Sequence, residues 1–338
     1  MSRVRVGIIG VGYWGPNLVR NFMAQDNCEV KAVADLQEER LKFIGSRYPT
    51  VRTTTNAAEV TGAPDIDAVV IATPVNTHFP LAEASLKSGK HVLLEKPMCA
   101  SVAECDRLLE LADKNNLTVM VDHTFLYTGA VQKITQMVDS GELGDILYFD
   151  SVRVNLGLFQ HDVNVIWDLA PHDVSIMDAV VRKQPKQVSA VGLAHFGTHI
   201  ENIAYVNVTF DSPVIAHFHL NWLAPVKVRT TLIGGTHRMI VYDDMEPSEK
   251  IKVYDKGVSI ETNVEQIRKN LVEYRIGDMY APRIASTEAL DLVAKEFVGS
   301  ISENRKPLTD GSAGRRVVSI LESASQSLKQ NGAPVDVA

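Results

Sequence analysis

The stretch "HVLLEKPM", residues 91–98, runs from apolar residues directly into Glu95, Lys96 and Pro97. Its first part is typical of a buried strand, whereas an adjacent acid and base are costly to bury without partners. In a doubly wound α/β sheet, ligands bind at the carboxyl ends of the strands, where polar groups are then expected. Pro97 also restricts Lys96 to extended backbone. We therefore interpret Glu95 and Lys96 as candidate site residues.

A second group that can transfer protons lies in "WDLAPHDVSI", residues 167–176. Asp168 and His172 are four positions apart, and Pro171 stands where the pattern predicts the start of a helix. A neutral imidazole, with a pKa near ~6.5, can accept a proton at physiological pH. The alternative for His172 is a helix N-terminal histidine held by the backbone. We interpret the next acid, Asp173, as a first-turn residue that interacts with the helix dipole.

The loop "GIIGVGYWG", residues 7–15, has the spacing of a dinucleotide-binding fingerprint in Gly10, Gly12 and Gly15, with Tyr13 and Trp14 between them. It follows a predicted strand and opens a predicted helix, which is the context that gives this pattern meaning. Gly10 allows a tight turn, Gly12 lets a pyrophosphate approach the backbone, and Gly15 lets helix and strand pack closely.

An acid at the end of the second predicted strand, Asp35, stands where a carboxylate binds the adenosine ribose hydroxyls of a dinucleotide. It would repel a 2′-phosphate, so the pattern predicts NAD(H) rather than NADP. Two alternatives remain open: Arg40 could turn towards a phosphate, and Asp35 could be an ordinary turn residue.

A third strand end, "ATPVNTH" at residues 72–78, supplies further candidate cofactor contacts in Thr73, Pro74, Asn76 and His78. Pro74 cannot extend the strand, so the chain turns out towards the position expected for a nicotinamide ring. For His78, cofactor contact and capping of the following helix are equally good interpretations.

These motifs require strands that alternate with helices, and residues 1–124 have that pattern. Short Val- and Ile-rich runs, typical of strands buried on both faces, are separated by segments of helical periodicity. We expect an α/β fold in which residues 1–124 form an NAD-binding Rossmann domain with a doubly wound parallel sheet. The strands are predicted at 4–10, 29–35, 66–74, 91–95 and 117–123.

The pattern changes after this point, and we expect residues 125–338 to form an α+β domain for substrate binding and oligomerisation. A helix at 130–144 precedes a strand at 146–154, an irregular loop to about Trp167, and a helix at 171–183. Six strands between 186 and 255 then predict a large open, mostly antiparallel sheet in a meander, and two helices close the chain.

Composition excludes several protein classes. With 45% hydrophobic and 22% charged residues and a net charge of −7, the chain is typical of a globular protein. No Lys/Arg block indicates nucleic-acid binding, and no apolar run approaches the ~20 residues of a membrane span. Cys28, Cys99 and Cys105 form no Cys-x-x-Cys pair and are interpreted as small buried hydrophobes. The start of the sequence has no signal-peptide pattern, so we expect a cytoplasmic protein.

Together, the glycine loop, Asp35, "ATP" and above all "EKP" at 95–97 resemble the glucose–fructose oxidoreductase / inositol dehydrogenase / MocA (Gfo/Idh/MocA) family. The resemblance covers essentially the whole chain. It implies a Rossmann domain, a C-terminal open sheet, and NAD-dependent oxidoreduction of sugars or polyols. It also implies a homodimer or homotetramer joined through the C-terminal sheet.

The family's D-x-x-x-H element matches Asp168 and His172, so the resemblance implies a catalytic set of Lys96, Asp168 and His172. In that role His172 takes the hydroxyl proton of a secondary alcohol, and Lys96 stabilises the developing alkoxide charge. Asp168 orients His172, while Glu95 orients Lys96 or contacts the cofactor.

Within the family, "NVIWDLAPHD" and the stretch 221–244 look most like members that act on nucleotide-linked hexoses or hexuronates, often at ring carbon 3, in surface-polysaccharide or amino-sugar pathways. An inositol, free-sugar or glycoside dehydrogenase is the alternative within this class. A non-catalytic NAD-sensing regulator is the alternative outside it. Besides the catalytic set, the candidate substrate-binding residues are His123, Tyr127, Arg153, His161, Asn164 and Trp167.

Some of these candidates have structural alternatives. Tyr127 is interpreted slightly more readily as hinge packing, and Trp167 equally as core or as a sugar platform. His217 and His219 alternate along "HFHLNW" as metal ligands would, but no third ligand is evident. We therefore predict no metal site and a sheet face in a subunit interface.

Overall fold

The computed structural model describes residues 3–157, 160, 162–255, 257–260, 272–275 and 277–338. The chain divides into two compact units, Met1–Thr128 with Thr287–Glu322, and Gly129–Ser286 with Ser323–Ala338. The sequence-based boundary at 124/125 is close to the first of these divisions. It does not include the return of residues 287–322 to the first unit, because two C-terminal helices give no sequence signal of which sheet they pack against.

The first unit contains a parallel sheet of six strands in the order β3-β2-β1-β4-β5-β6. Its strands are β1 Val4–Ile9, β2 Cys28–Ala34, β3 Arg52–Thr54, β4 Ala68–Ile71, β5 His91–Glu95 and β6 Val119–Asp122. The helices between them are α1 Gly15–Met23, α2 Glu38–Arg47, α3 Ala58–Thr61, α4 His78–Lys87 and α5 Val102–Asn115. This order confirms the predicted doubly wound sheet and adds β3, a three-residue edge strand.

The strand order reverses at β1, which pairs with β2 on one side and β4 on the other. At such a reversal, neighbouring loops diverge and leave a crevice at the carboxyl ends of the strands. Every residue of β4 and β6 is buried, and all of them are apolar except Asp122, the last residue of β6. Polar side chains at the ends of β5 and β6 therefore lie at one edge of the sheet.

In its described residues, the second unit contains a nine-stranded sheet together with the helices α6 Gly129–Asp139 and α7 Val165–Val181. The strand order is β16-β13-β12-β11-β7-β10-β9-β8-β17. These strands are β7 Ile146–Leu156, β8 Pro185–Leu193, β9 Ile203–Phe210, β10 Ile215–Asn221, β11 Leu223–Gly235, β12 Met239–Asp243, β13 Ile251–Tyr254, β16 Met279–Tyr280 and β17 Val335–Asp336. A separate hairpin joins β14 Gly257–Ile260 and β15 Val272–Arg275. The predicted, mostly antiparallel sheet is confirmed.

The predicted meander is wrong at one point, because β7 lies between β10 and β11 and runs parallel to β10. Only Trp222 separates β10 from β11. One residue is too short for a hairpin, so β11 cannot fold back beside β10. The eleven-residue β7 takes that central place instead.

Helix α7 begins six residues before its predicted start, so Val165–Ala170 are helical and Pro171 lies inside the helix. Asn164 caps it, since its Oδ1 accepts from the backbone N–H of Trp167 at 3.3 Å. The proline was mistaken for a start signal. Asp173 is consequently a buried mid-helix residue and not a first-turn acid.

Two C-terminal helices, α8 Ala289–Ser302 and α9 Gly311–Lys329, complete the fold. Phe297 of α8 packs edge to face against Phe22 of α1, and both rings are fully buried. All three cysteines are free and buried, as predicted. In the described part of the chain, no helix is long and apolar enough to span a membrane.

Candidate active site

The glycine loop after β1 has the shape that a dinucleotide pyrophosphate needs. Gly10 has φ +93°, and a Cβ there would lie 2.5 Å from the carbonyl oxygen of Ala72. A Cβ on Gly15 would lie 2.4 Å from the carbonyl oxygen of Gly10. At Gly12 the nearest atom to a Cβ would be Nη1 of Arg40 at 3.5 Å, so this glycine leaves open space instead of avoiding a clash. These three environments match the turn, packing and ligand-approach roles predicted for the loop.

The carboxylate of Asp35 ties the end of β2 to this loop. Its Oδ2 accepts from the backbone N–H of Val11 at 2.8 Å, and its Oδ1 accepts from the N–H of Gln37 at 2.8 Å. Nη1 of Arg40 lies 3.5 Å from Oδ2. Two N–H donors and a guanidinium group hold the side chain in place. An acid at this position is expected to repel a 2′-phosphate.

Tyr13 and Trp14 lie at the tip of the glycine loop with their rings exposed. They meet edge to face with centroids 5.6 Å apart. Exposed aromatic rings beside a dinucleotide loop are suited to cover a bound cofactor. Their role as cofactor contacts stays a prediction.

His78 joins two strand-end loops, and its side chain is buried. Its Nδ1 lies 3.0 Å from the carbonyl oxygen of Pro97, and its Nε2 lies 2.8 Å from that of Thr73. Burial lowers the pKa of this imidazole and outweighs the two carbonyl contacts. The side chain therefore holds the "ATP" and "EKP" turns together, a role that sequence reasoning did not weigh. Asn76 and Pro74 are exposed in the turn before α4.

Glu95 is the last residue of β5 and Lys96 follows it, as predicted, and the Lys96–Pro97 peptide is cis. Glu95 is the register partner of Asp122 on β6, so the two residues lie side by side at the ends of adjacent parallel strands. Burial and the Asp122 charge raise the pKa of Glu95 to about 8, although part of the Glu95 surface is exposed. The Glu95 carboxylate accepts from the backbone N–H of Lys96 at 3.2 Å.

His123 follows Asp122 and is 1% exposed. Neither of its ring nitrogens has a hydrogen-bond partner among the described residues. Burial, followed by the nearby positive charges of Lys96 and Arg316, lowers the pKa of His123 to about 3. Tyr127 is buried too, and its hydroxyl lies 3.0 Å from Oγ1 of Thr309, which gives it a packing contact.

In the second unit, Asp168 and His172 lie one turn apart on α7, which places them on the same face of the helix. Both side chains are half-buried. Oδ2 of Asp168 accepts from the indole N–H of Trp222 at 2.9 Å. This fixes one oxygen of the carboxylate at a side chain that the sequence did not indicate.

The side chain of Arg153 is buried in the core of the second unit. Its Nε and Nη2 donate to the two carboxylate oxygens of Asp173 at 2.9 and 2.6 Å, and both side chains are buried. Their pairing joins β7 to α7. The bidentate geometry gives Arg153 a structural role.

Two other candidate substrate contacts also have structural partners. Nδ2 of Asn164 donates to Oε2 of Glu201 at 3.0 Å, in addition to its capping bond. Nε1 of Trp167 donates to Oγ of Ser325 at 2.8 Å, while the ring is half-buried. His161 lies outside the described residues.

His217 and His219 alternate along β10 and lie on the partly exposed face of the sheet. Nδ1 of His217 lies 2.8 Å from Oδ1 of Asp150, and the His219 ring stacks on Tyr205 with centroids 4.6 Å apart. Among the described residues, no group of three or more His, Cys, Asp or Glu side chains could hold a metal ion.

Sequence reasoning missed Asp122, Thr124 and Trp222. "VDH" at the end of β6 has the same arrangement as "LLEK" at the end of β5, an apolar run ending in polar residues. Comparing neighbouring strand ends would have found Asp122. Trp222 gave no such signal, because its contact with Asp168 depends on the path of the chain between β10 and β11.

Comparison with known proteins agrees with these motifs. The model of the oxidoreductase family with an NAD-binding Rossmann fold, GFO_IDH_MocA, matches residues 4–123, and the model of the GFO/IDH/MocA C-terminal domain matches 131–241. UDP-N-acetylglucosamine 3-dehydrogenase of Acidithiobacillus ferrooxidans is 26% identical over 94% of this chain and 95% of its own. Myo-inositol 2-dehydrogenase of Thermotoga maritima is 22% identical over 97% of each chain.

A solved structure of UDP-N-acetylglucosamine 3-dehydrogenase GnnA from Acidithiobacillus ferrooxidans has the same fold. It superimposes with a TM-score of 0.83 at 24% identity, covering 98% of this chain and 99% of that one. The two family models together cover the first sheet, β7 to β11 of the second sheet, the glycine loop, the EKP strand end and helix α7. The chain belongs to the Gfo/Idh/MocA oxidoreductase family, and its first unit is an NAD-binding Rossmann domain.

Proposed function

We propose that this protein is an NAD-dependent dehydrogenase that oxidises a secondary alcohol of a nucleotide-linked hexose or hexuronate at ring carbon 3. The observation that carries the substrate class is the end-to-end similarity to a UDP-N-acetylglucosamine 3-dehydrogenase, which spans both units. The observation that carries the chemistry is the presence of an EKP strand end and of Asp168 and His172 on one face of α7.

In the proposed reaction, each catalytic residue has one task. Neutral His172 takes the proton of the substrate hydroxyl, and the ammonium group of Lys96 stabilises the negative charge that develops on that oxygen. Asp168, one turn before His172, favours its protonated form and is itself held by Trp222. A bound nicotinamide would supply the hydride acceptor for the carbon that carries this hydroxyl group.

The cofactor contacts proposed for this chain lie in the glycine loop and at the ends of three strands, β2, β4 and β5. The loop supplies Gly10, Gly12, Tyr13, Trp14 and Gly15. The strand ends supply Asp35, Thr73, Pro74, Asn76, Glu95 and Lys96. The side chain of His78 holds the "ATP" and "EKP" turns together. For substrate contacts, the half-buried Trp167 and the unpartnered ring nitrogens of His123 remain the better candidates from the sequence-based set.

A screen for substrate tests this function. Purified protein with NAD is mixed with UDP-linked hexoses and hexuronates, free sugars, glycosides and myo-inositol, and NADH absorbance is followed. We expect the highest kcat/KM with a nucleotide-linked sugar. A ketosugar acceptor is added in parallel to detect protein that retains its cofactor through turnover. Activity only with myo-inositol would instead support the second candidate, an inositol dehydrogenase, for which the Thermotoga maritima relative speaks.

Two variants test the catalytic residues on the substrate found. Lys96→Ala and His172→Ala should each lower kcat by about 10²–10⁴-fold, because each removes a group that acts on the reacting oxygen. NAD binding, measured by calorimetry, should persist in His172→Ala. Near-normal turnover of either variant would remove that residue from the mechanism. If the protein binds NAD but turns over no compound in the screen, the result would favour the alternative of a non-catalytic NAD-sensing regulator.

We also propose that a second copy of the chain covers the exposed sheet face of the second unit. Val191, Tyr205 and His219 are consecutive register partners across β8, β9 and β10, so they form a row on one face. Val191 and Tyr205 are exposed. Light scattering after gel filtration should give a dimer or tetramer, and Tyr205→Glu should shift it towards monomer. A monomeric parent protein would contradict this assembly.

A further inference from the structure

Two carboxyl groups lie next to Lys96 at the edge of the first sheet, at the ends of neighbouring strands. Glu95 ends β5 and Asp122 ends β6, and they are register partners on adjacent parallel strands. Residues opposite each other on neighbouring strands place their side chains on the same face of a sheet. Asp122 is 1% exposed. The sheet therefore places these two side chains side by side.

The hydrogen bonds around the pair leave one oxygen without a donor. Thr124 Oγ1 donates to Oδ1 of Asp122 at 2.7 Å, and the backbone N–H of Lys96 donates to Oε2 of Glu95 at 3.2 Å. No donor among the described residues reaches Oδ2 of Asp122. Two ionised carboxylates are both acceptors and cannot bond each other, so their contact becomes a hydrogen bond only when one carries a proton.

The charged groups around the pair determine how many protons it holds. Burial raises the pKa of both carboxyls, and the Asp122 charge raises that of Glu95 further, whereas the positive charge of Lys96 lowers both. The net effect raises the pKa of both carboxyls above the ordinary range, that of Glu95 more than that of Asp122, and the two titrate as a pair. His123, buried beside them, has its pKa lowered by burial and by the positive charges of Lys96 and Arg316.

We propose that Glu95 and Asp122 share one proton and act as a positioning pair for the ammonium group of Lys96. This inference rests on the proposed dehydrogenase function, in which Lys96 stabilises the charge on the substrate oxygen. One negative charge on the pair balances the one positive charge of Lys96. A second negative charge on the pair would draw the ammonium group of Lys96 back from the substrate oxygen. A pair with no negative charge would no longer supply the counter-charge that favours the ammonium form at a partly buried site.

The proposal predicts an unusual pattern among three variants. Glu95→Gln leaves the Asp122 carboxylate and supplies a permanent N–H donor in place of the shared proton. Asp122→Asn leaves the Glu95 carboxylate and does the same from the other side. Each single variant thus keeps one negative charge and one donor, whereas the double variant keeps no charge.

At pH 7 each single variant should lower kcat by no more than about tenfold, and the double variant by more than about a thousandfold, well beyond the product of the singles. The parent kcat should also fall as the pair loses its proton above about pH 8, and this alkaline limb should disappear in Glu95→Gln. NAD affinity of all variants is measured by calorimetry, so that loss of cofactor is not mistaken for loss of positioning. A double variant no worse than the product of the singles would overturn the proposal.

A measurement on the protein without substrate separates this inference from the proposed function. In ¹³C NMR of protein labelled at the Glu and Asp carboxyl carbons, one carboxyl should titrate with an apparent pKa of about 8 in the parent and be absent in Glu95→Gln. If every Glu and Asp carboxyl finishes titrating below pH 6, the shared proton does not exist. If the alkaline titration is present while no compound in the screen is turned over, the shared proton stands and the dehydrogenase function, with the positioning role that depends on it, fails.

Discussion

The Asp35 carboxylate accepts from the backbone N–H of Val11 at 2.8 Å, so the residue proposed to select the cofactor also holds the glycine loop in place. The same carboxylate accepts from Gln37 N–H, and the Arg40 guanidinium lies 3.5 Å away. The position of the negative charge is therefore fixed before any cofactor binds. This agrees with the NAD-binding Rossmann domain of the family.

Replacing Asp35 should change cofactor selection. We expect the parent protein to bind NAD more tightly than NADP, because a fixed carboxylate repels the 2′-phosphate. Asp35→Asn removes the charge and should reduce this preference by at least about tenfold, the equivalent of ~1.4 kcal/mol. Calorimetric titration of the parent protein and of Asp35→Asn with NAD and with NADP measures this preference. Tighter NADP binding by the parent would contradict the role of Asp35.

Arg40 provides the control for this experiment, since its guanidinium is the nearest positive group to the Asp35 carboxylate. If Arg40 forms an ion pair with Asp35 and does not bind a 2′-phosphate, Arg40→Ala should change the affinities for NAD and NADP by the same factor. A selective loss of NADP affinity in Arg40→Ala would identify it as a phosphate-binding residue.

The three loop glycines should respond differently to alanine. Gly12→Ala places a methyl group in open space, with only Arg40 Nη1 nearby at 3.5 Å, so the free energy of unfolding should change by less than about 0.5 kcal/mol. The methyl group would nevertheless occupy the path of a pyrophosphate, and NAD affinity should fall at least about tenfold. Thermal unfolding and calorimetry measure the two effects.

Gly15→Ala is the matched variant, because its Cβ would lie 2.4 Å from the backbone oxygen of Gly10. It should destabilise the protein by about 1–3 kcal/mol, the cost of overpacking. Equal destabilisation by both substitutions would mean that Gly12 has a packing role and not a ligand role.

The first unit could be predicted from sequence more fully than the second, for a physical reason. Strands buried on both faces are continuous apolar runs, so β5 was predicted with its observed bounds, His91–Glu95. Local signals decide this feature. The place of β7 between β10 and β11 depends on pairing between distant segments, which alternation within one strand does not encode.

The same distinction applies to the candidate site. Residues in motifs, such as Gly10, Asp35 and Lys96, could be selected by type and spacing. The Asp122 contact with Glu95 and the Arg153 contact with Asp173 could not, because both join separate elements. Pro171 also misled the prediction of α7, since a proline is more frequent at a helix start than seven residues into a helix.

Buried His123 should make the first unit sensitive to acid. Its pKa is about 3 in the folded chain, below the ordinary value of 6.5 in the unfolded chain. Above pH 6.5 both states are neutral and stability is unaffected. As the pH falls towards 3, only the unfolded chain gains the proton, so stability decreases, by about 2 kcal/mol at pH 5 for this group alone.

Urea unfolding at pH 7 and pH 5 tests this expectation. His123→Leu should lose less stability between the two pH values than the parent does. His199→Leu, at an exposed histidine, is the control and should follow the parent. The same pH dependence in His123→Leu and in the parent would show that His123 does not stay neutral in the folded protein.

The Arg153–Asp173 pair should be a stability element of the second unit and not a substrate contact. Arg153→Met leaves the Asp173 carboxylate buried without its bidentate partner, which should cost about 3–5 kcal/mol of unfolding free energy. Arg153→Met with Asp173→Leu removes both charges and should recover a large part of that loss. Lys186→Met, at an exposed pair with Asp211, should cost less than about 1 kcal/mol. Urea unfolding curves give these values, and substrate KM is measured on each variant that folds. If Arg153→Met keeps parental stability while KM for a nucleotide-linked sugar rises at least tenfold, Arg153 binds the diphosphate and the structural assignment is wrong.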